Sequence, residues 1–344
     1  WLALEHHLPI TAVSVCVMKD TLLNNIDNDD IHLASFLSHV VSNSHNDSAY
    51  SHTLTVIGQA VTPYLLHSVL IKLNDVFTPS SAAFHHLHKQ MGDDVIEIRG
   101  ALQNTELEQI KPLLGDVSKA YNVDVGLQGS RPSLSEPGLL VMDMDSTVIA
   151  IECIDEIAKL AGVGEQVAEV TAKAMRGEIA FNDSLTHRVA CLEGVPVSHL
   201  NQIRDSIPIM PGIQALLTHL KQHNWKLAIA SGGFTFFADH LKARLGLDFA
   251  ISNTLAVKNE QLTGKVEGEI VNADVKARTV IALAEKWRIP AKQTVAMGDG
   301  ANDLVMMAES ALGVACHGKP LVNEKADVAI RIGSLHSLLY FLDK

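Results

Sequence analysis

The stretch Leu139-Leu-Val-Met-Asp-Met-Asp-Ser-Thr147 joins an unbroken apolar run to a polar turn. An apolar run without alternation is typical of a strand that is buried on both faces of a parallel sheet. Ligands bind at the carboxyl ends of such strands, so Asp143 and Asp145 lie where a reaction site is expected. The same residue types are common in ordinary turns and helix N-caps, and this stretch alone leaves that alternative open.

Further apolar runs of the same kind follow, and together they predict an α/β fold with a Rossmann-like parallel sheet. These runs are Leu227–Ser231, Phe249–Ser252, Thr294–Asp299 and Leu312–Ala315. About 80 residues without a convincing strand separate the first run from the second, which is too long for a simple crossover. We therefore expect an inserted helical cap at about 154–208.

The chain before this region predicts a separate α+β domain. Residues 53–128 alternate in the order β-α-β-β-α-β, which is typical of a ferredoxin-like sandwich. The predicted elements are Thr53–Gln59, Pro63–Asp75, Ala82–His88, Asp94–Gly100, Thr105–Tyr121 and Val123–Leu127. Proline, glycine and serine dominate residues 129–138 and predict a linker. The expected domains are 1–130, with 1–50 uncertain and a surface loop at 42–48, then a linker at 131–138 and the α/β domain at 139–344.

Three more polar motifs accompany the predicted strands. Ser231-Gly-Gly233 follows a strand and offers a hydroxyl and backbone N–H groups to an anion. Lys276 precedes an amphipathic helix, and Gly298-Asp299-Gly-Ala-Asn-Asp303 follows another strand. Carboxylates on two parallel strands converge at one sheet edge, which suits a hard cation such as Mg²⁺. Each motif alone is also compatible with an ordinary turn or a solvated surface residue.

The order of these motifs resembles that of the haloacid dehalogenase-like phosphohydrolases, over about residues 139–330. Asp143-Met-Asp-Ser-Thr147 matches the D-x-D-x-T form of the phosphatase branches. Within the superfamily the chain is similar to the phosphoserine phosphatases, because Glu152 and the cap residues Met175, Phe181 and Arg188 match that family's substrate pocket. The resemblance implies hydrolysis of O-phospho-L-serine, the last step of serine biosynthesis, through an aspartyl-phosphate.

The resemblance also implies a role for each matched residue. Asp143 is the nucleophile, and Asp145 is the general acid and base. Mg²⁺ is held by Asp143, Asp299 and the backbone carbonyl of Asp145, while Asp303 orients Lys276 or a metal-bound water. The remaining substrate-binding residues are Glu152 for the ammonium group, Arg188 for the carboxylate, Met175 and Phe181 for the pocket wall, and Ser231, Gly232, Lys276 and Asn302 around the phosphoryl group.

Alternative functions stay open from the sequence. One is a phosphatase for another small phosphomonoester, or a phosphotransferase that forms phosphohomoserine, and another is a mutase. The N-terminal segment resembles an ACT-type domain in its order of elements, which implies a possible amino-acid ligand and a possible homodimer. A plain packing or dimerisation domain is the other interpretation of that segment.

Composition narrows the classes of partner. The chain has 27 basic and 39 acidic residues, a net charge of −12 at pH 7, which disfavours a nucleic-acid or polybasic membrane partner. Its four cysteines form no C-x-x-C pair and predict a reducing, cytoplasmic location. We see no secretory signal and no apolar run of the roughly 18–20 residues that a membrane-spanning helix needs.

Overall fold

The computed structural model describes residues 51–103 and 105–344. The loop predicted at 42–48 and the rest of 1–50 lie outside the described residues. The strands are β1 (His52–Gly58), β2 (Phe77–Phe84), β3 (Asp94–Leu102), β4 (Asp124–Gln128), β5 (Leu139–Met142), β6 (Lys226–Phe234), β7 (Phe249–Lys258), β8 (Gln261–Glu267), β9 (Thr294–Gly298), β10 (Leu312–Cys316) and β11 (Val328–Ile330).

The helices connect these strands in the alternation that an α/β chain requires. They are α1 (Pro63–Leu73), α2 (Leu107–Tyr121), α3 (Cys153–Leu160), α4 (Gly164–Met175), α5 (Phe181–Ala190), α6 (Val197–Asp205), α7 (Ile213–Gln222), α8 (Thr235–Leu245), α9 (Ala273–Trp287), α10 (Leu304–Ala308) and α11 (Pro320–Lys325), with short 3-10 helices at Ala291–Gln293, Ala301–Asp303 and Leu335–Phe341. None of the helices within the described ranges is long and apolar enough to cross a bilayer.

The first four strands form one antiparallel sheet in the order β2-β3-β1-β4. Helices α1 and α2 bury Leu66, Val69, Ile110 and Leu114 in the same apolar cluster as the sheet. The predicted β-α-β-β-α-β order is therefore observed. The strand predicted at 82–88 lies earlier, at Phe77–Phe84, because the imidazoles of His85 and His88 accept hydrogen bonds from backbone N–H groups beyond its end.

The second sheet has seven strands in the order β11-β10-β9-β5-β6-β7-β8. Every neighbouring pair is parallel except the antiparallel hairpin β7–β8. The five predicted strands all occur, with β5 between β6 and β9, so its carboxyl end lies centrally along the sheet. The edge strands β8 and β11 were not predicted, since β8 is polar at alternate positions and β11 has only three residues.

The cap predicted at about 154–208 corresponds to helices α3–α6. The two segments that connect the cap to the sheet are hydrogen-bonded to each other. Ala150 N–H donates to the Pro208 carbonyl at 3.0 Å, and Met210 N–H donates to the Val148 carbonyl at 3.0 Å. Two adjacent crossing segments can act as a hinge between the cap and the sheet.

The segment predicted as a linker is an ordered connection. Leu134 is buried, the Arg131 guanidinium donates to the Glu97 carboxylate, and the Gln293 side chain is hydrogen-bonded to both the N–H and the carbonyl of Ser133. The segment is therefore held in place by these contacts and is not a free linker. Its polar groups are hydrogen-bonded to Glu97 and Gln293, which are distant in sequence.

Candidate active site

The predicted motifs meet at the carboxyl edge of the parallel sheet. Asp143 follows β5, and its Oδ2 lies 2.9 Å from the Lys276 ammonium nitrogen on the first turn of α9. The same nitrogen lies 2.7 Å from Asp303 Oδ1, in the loop after β9. Met144 N–H donates to Asp143 Oδ1 at 2.7 Å, so both oxygens of Asp143 are oriented.

Lys276 is fully buried and carries its charge among carboxylates. Burial alone would lower the pKa of Lys276, but Asp143 and Asp303 outweigh it and raise that pKa above its usual value. The ammonium group therefore stays protonated and compensates part of the negative charge beside it. A permanently charged lysine at this point is suited to holding an anionic substrate group.

Three carboxylates form a compact acidic cluster next to this lysine. One oxygen from each of Asp143, Asp299 and Asp303 lies within 4.8 Å of the others. Burial, and then the charges of Asp143 and Asp303, raise the pKa of Asp299 to about 7. Such crowded oxygen donors fit a divalent cation, which would relieve their repulsion.

The three carboxylates are not equivalent. Asp303 Oδ1 already accepts from Lys276, and its Oδ2 accepts from Gly300 N–H at 3.0 Å. Asp303 is thus suited to orient Lys276, while Asp143 and Asp299 are better placed to share a cation. The side chain of Asp145 does not belong to the cluster, and a contribution from its backbone carbonyl stays a prediction.

The acidic cluster has a consequence for stability. The raised pKa of Asp299 means that the folded state binds this proton more tightly than the unfolded state. The resulting stabilisation is present below about pH 4 and is lost as the pH rises through about 7. Asp299→Asn should therefore raise the metal-free free energy of unfolding at about pH 8 by roughly 1–3 kcal/mol.

Denaturant melts in a chelating buffer at about pH 5 and pH 8 measure this effect. The exposed Asp116→Asn is the matched control and should change little at either pH. An added divalent cation should reverse the order, because a cation held by the cluster would stabilise only the protein that retains Asp299. A less stable Asp299→Asn variant in chelator at pH 8 would contradict the electrostatic account of the cluster.

Asp145 occupies a different electrostatic environment from Asp143. Burial, and then the charges of Glu152 and Asp143, raise the pKa of Asp145 well above its usual value. Its Oδ1 is buried and has no hydrogen-bond partner among the described residues. A carboxyl group with a raised pKa keeps its proton to a higher pH than an ordinary aspartic acid and can act as an acid.

Cys153, beside Asp145, does not have the properties of a nucleophile. The thiol is fully buried, and burial together with the charge of Asp145 raises the pKa of Cys153 well above its usual value. The sulfur therefore stays protonated, and a neutral buried thiol is inert. Cys153 is therefore a packing residue.

Ser231–Gly233 was predicted to follow a strand, but it lies within β6, where the pairing with β7 is interrupted between Ala230 and Phe234. This interruption, called here the Ser231–Gly233 turn, approaches both Asp145 and the cap. Gly233 N–H donates to Ser231 Oγ at 3.0 Å. A Cβ on Gly233 would lie 2.5 Å from Met144 Cε and 2.9 Å from Asp145 Oδ2, and one on Gly232 would lie 3.0 Å from the Phe181 ring. A Cβ at either point would displace a neighbouring side chain, because the Asp145 loop and the cap both contact the turn.

Two charged residues of the cap region face this site. Glu152 Oε1 accepts from the Ser146 hydroxyl at 2.7 Å, and burial raises the pKa of Glu152. Burial lowers the pKa of Arg188, while the negative charges of Asp155, Glu152 and Asp145 oppose that effect. The Arg188 Nε atom is buried without a hydrogen-bond partner among the described residues, which leaves it available to a ligand.

Not every predicted residue joins the group. Met175 ends α4 and is 76% exposed, so the structure does not bring it against the other predicted pocket residues. Asn302 lies in the turn after β9, where its Nδ2 is 3.5 Å from Asp303 Oδ1. Its predicted contact with substrate stays a prediction.

Two further residues near the site were missed from the sequence. Lys319 N–H donates to the Asp299 carbonyl at 3.0 Å, and its charge lowers the pKa values of Asp299 and Glu152 against the effect of burial. Asn253 is buried on β7 and bonds to Gly232. A polar residue directly after the apolar run Phe249–Ser252 was the available signal for Asn253, and a basic residue in the turn after β10 was the signal for Lys319.

Known proteins share this arrangement. A model of the haloacid dehalogenase-like hydrolases matches residues 138–310. A phosphoserine phosphatase from Vibrio cholerae serotype O1 is 51% identical over 226 residues, covering 66% of this chain and 69% of the relative. The unliganded crystal structure of a probable phosphoserine phosphatase from Vibrio cholerae gives a TM-score of 0.69 at 42% identity, covering 84% of this chain and 86% of that one. The structure of a substrate-bound phosphoserine phosphatase complex gives a TM-score of 0.58 at 36% identity, and the match covers 60% of this chain and 99% of that one.

Proposed function

The chain belongs to the haloacid dehalogenase-like hydrolases and, within them, to the phosphoserine phosphatases, and from that premise we propose that it hydrolyses O-phospho-L-serine to L-serine and phosphate. One observation carries the proposal beyond family membership. The Asp143 carboxylate is held 2.9 Å from the buried Lys276 ammonium group, below a cap that carries Arg188. This arrangement supplies a nucleophile, a phosphoryl anchor and a carboxylate-binding cation.

The first step is phosphoryl transfer to Asp143. One Asp143 oxygen attacks phosphorus in line, an O–P bond forms, and the bond from phosphorus to the serine oxygen breaks. Asp145 donates its proton to the departing oxygen. Lys276, the Ser231 hydroxyl and the Gly232 N–H stabilise the phosphoryl oxygens, because preorganised donors need no rearrangement when charge develops.

The second step is hydrolysis of the aspartyl-phosphate. Asp145, now ionised, accepts a proton from a water molecule whose oxygen attacks phosphorus. The bond between phosphorus and the Asp143 oxygen breaks, which regenerates the carboxylate and releases phosphate. Asp145 ends the cycle protonated, as it began.

The donor set also fits a divalent cation, for which we propose Mg²⁺. Asp143, Asp299 and the backbone carbonyl of Asp145 would hold it, with Asp303 fixing Lys276 beside it. When bound, it supplies positive charge that offsets the two negative charges of a phosphate monoester. The pKa of about 7 for Asp299 supports this proposal, because that carboxyl group otherwise lacks sufficient compensation.

Substrate selection is assigned to Glu152 and Arg188. Glu152 would accept the ammonium group of phosphoserine, and Arg188 would bind its carboxylate with two parallel hydrogen bonds. The partnerless Nε of Arg188 supports this role, because a buried donor of this kind is costly unless a ligand satisfies it. Phe181 closes the pocket over Gly232, and cap closure would exclude bulk water.

Removal of the Arg188 guanidinium tests this assignment. We expect Arg188→Ala to raise KM for phosphoserine by about 10–100-fold, because two charge-assisted hydrogen bonds are lost. KM for p-nitrophenyl phosphate, which has no carboxylate, should change little. Arg99→Ala, at an exposed position on strand β3, removes a guanidinium group away from the site and serves as the control. Equal effects of Arg188→Ala on both substrates would contradict the clamp.

The function itself is tested by phosphate release from L-phosphoserine with and without Mg²⁺. We expect release only with the metal, and faster release than from a panel of phosphorylated amino acids and sugars. Preference for another phosphomonoester would favour that alternative substrate. Formation of phosphohomoserine when homoserine is added would identify a phosphotransferase.

The wider assignments extend the same proposal. A phosphoserine phosphatase supplies serine, so we assign the chain to the last step of serine biosynthesis. The cytoplasmic location, the homodimer and the amino-acid ligand at the N-terminal domain stay predictions. Calorimetry of the full chain with L-serine and with a non-hydrolysable phosphoserine analogue would separate a second amino-acid site from the catalytic one.

A further inference from the structure

We propose that Asn253 is a positioning residue that fixes the Ser231–Gly233 turn and ties it to the start of the helix that bears Lys276. Asn253 lies on β7 and is 1% exposed. Its Nδ2 donates to the Gly232 carbonyl at 2.8 Å, and its Oδ1 accepts from Val271 N–H at 2.8 Å. This inference rests on the proposed phosphatase function, in which that turn binds the phosphoryl group.

The first of these bonds fixes a peptide group that glycine leaves mobile. The peptide between Gly232 and Gly233 has its carbonyl held by Asn253 and its N–H held by Ser231 Oγ at 3.0 Å. Two glycines in sequence allow this peptide to rotate at low cost, and a Cβ at either position would crowd Phe181 or Met144. A side-chain anchor therefore replaces the rigidity that larger residues would otherwise provide.

The fixed peptide also sets the direction of the Ser231 hydroxyl. Ser231 Oγ accepts from Gly233 N–H with a lone pair, which leaves the hydroxyl's own proton to be donated to a phosphoryl oxygen. If the peptide rotated, Gly233 N–H would leave Ser231 Oγ, and the hydroxyl could turn towards another acceptor. Asn253 thus acts on the phosphoryl group through Ser231 without touching it.

The second bond connects the turn to the lysine that faces it. Val271 immediately precedes Asn272, whose side chain caps α9 by accepting from Val275 N–H at 3.1 Å. Lys276 N–H donates to the Asn272 carbonyl at 3.0 Å in the same first turn. One buried amide therefore sets the spacing between the hydroxyl and the ammonium group that hold the same phosphoryl group.

The chemistry of the two partners makes asparagine specific at this position. One partner is a carbonyl and the other is an N–H, so the side chain must donate on one side and accept on the other. An ionised aspartate could accept from Val271, but it would place negative charge against the Gly232 carbonyl. A protonated aspartic acid restores a donor on that side, and this property makes a pH-dependent test possible.

The test compares Asn253→Leu and Asn253→Asp with a matched control, Gln293→Met. Gln293 is 2% exposed, and its amide likewise bridges backbone groups, but it precedes β9 at the sheet end opposite to Asp299. Both amide losses should lower the melting temperature. Asn253→Leu, but not Gln293→Met, should lower kcat/KM for p-nitrophenyl phosphate by about 10–100-fold, the usual effect of losing an orienting partner. The same variant should also be inhibited less strongly by inorganic phosphate.

Asn253→Asp gives a readout that general destabilisation would not reproduce. Its kcat/KM relative to wild type should rise as the pH falls, because protonation restores the donor to the Gly232 carbonyl. If the ratio of the two kcat/KM values does not change with pH, the proposal is overturned. It is also overturned if inorganic phosphate inhibits a folded Asn253→Leu protein as strongly as it inhibits the wild type. If that variant does not fold, the Asn253→Asp ratio decides.

The substrate separates this inference from the function on which it rests. Wild-type protein that hydrolyses p-nitrophenyl phosphate but not phosphoserine would refute the phosphoserine assignment. The effects of the Asn253 variants would still test the turn in that case.

Discussion

Asp143→Asn is expected to abolish phosphoserine turnover, with kcat reduced by at least about 10⁴-fold, because an amide cannot form the acyl-phosphate. The fold should survive. Lys276 keeps its 2.7 Å contact with Asp303, and the substitution removes one charge from the crowded cluster around Asp299. Phosphate release measures turnover, and circular dichroism with a thermal melt measures folding.

The matched control for this variant is Asp239→Asn, on helix α8, which changes the same functional group outside the acidic cluster. It should retain full turnover. An Asp143→Asn protein that turns over near the wild-type rate would refute Asp143 as the nucleophile. Deamidation back to aspartate must be excluded by the intact mass of the assayed protein.

Asp145→Asn should produce a different defect that separates the two chemical steps. For phosphoserine, kcat should fall by about 10²–10⁴-fold, the usual contribution of a general acid and base. For p-nitrophenyl phosphate, the leaving group departs without protonation, so the first step should persist while hydrolysis of the intermediate slows. We therefore expect a stoichiometric burst of p-nitrophenol before slow turnover in rapid-mixing experiments.

The pH profile follows from the raised pKa of Asp145. The free enzyme needs this carboxyl group protonated, so kcat/KM for phosphoserine should fall as the pH rises through that pKa. Asp145→Asn cannot titrate and should lose this alkaline limb. An Asp145→Asn protein that keeps both the alkaline fall in kcat/KM and the wild-type rate would show that another group supplies the proton.

The sequence was sufficient to predict the reactive edge of the sheet. Unbroken apolar runs identify buried parallel strands, and such strands share one carboxyl edge. Asp143 and Asp299 could therefore be placed together before any contact was known. The family prediction, which rested on the order of the motifs, is confirmed by the 51% identical relative.

The parts that could not be predicted depend on contacts between residues distant in sequence. Asn253 bonds to Gly232 and Val271 across the sheet, and no local pattern encodes those pairings. The polar segment before β5 is ordered by Gln293, which lies about 160 residues further along the chain. Strand β8 was missed because its alternating polarity suits a sheet edge instead of a buried position.

The central claim is that Asp143 carries the phosphoryl group between the two steps. Acid quenching of wild-type enzyme within the first turnover of ³²P-phosphoserine, followed by peptide mapping, tests it most directly. The account predicts acid-stable, alkali-labile label on the peptide that contains Asp143, and no label in the Asp143→Asn protein. Label on any other residue, or rapid phosphate release with no labelled protein at any quench time, would contradict it.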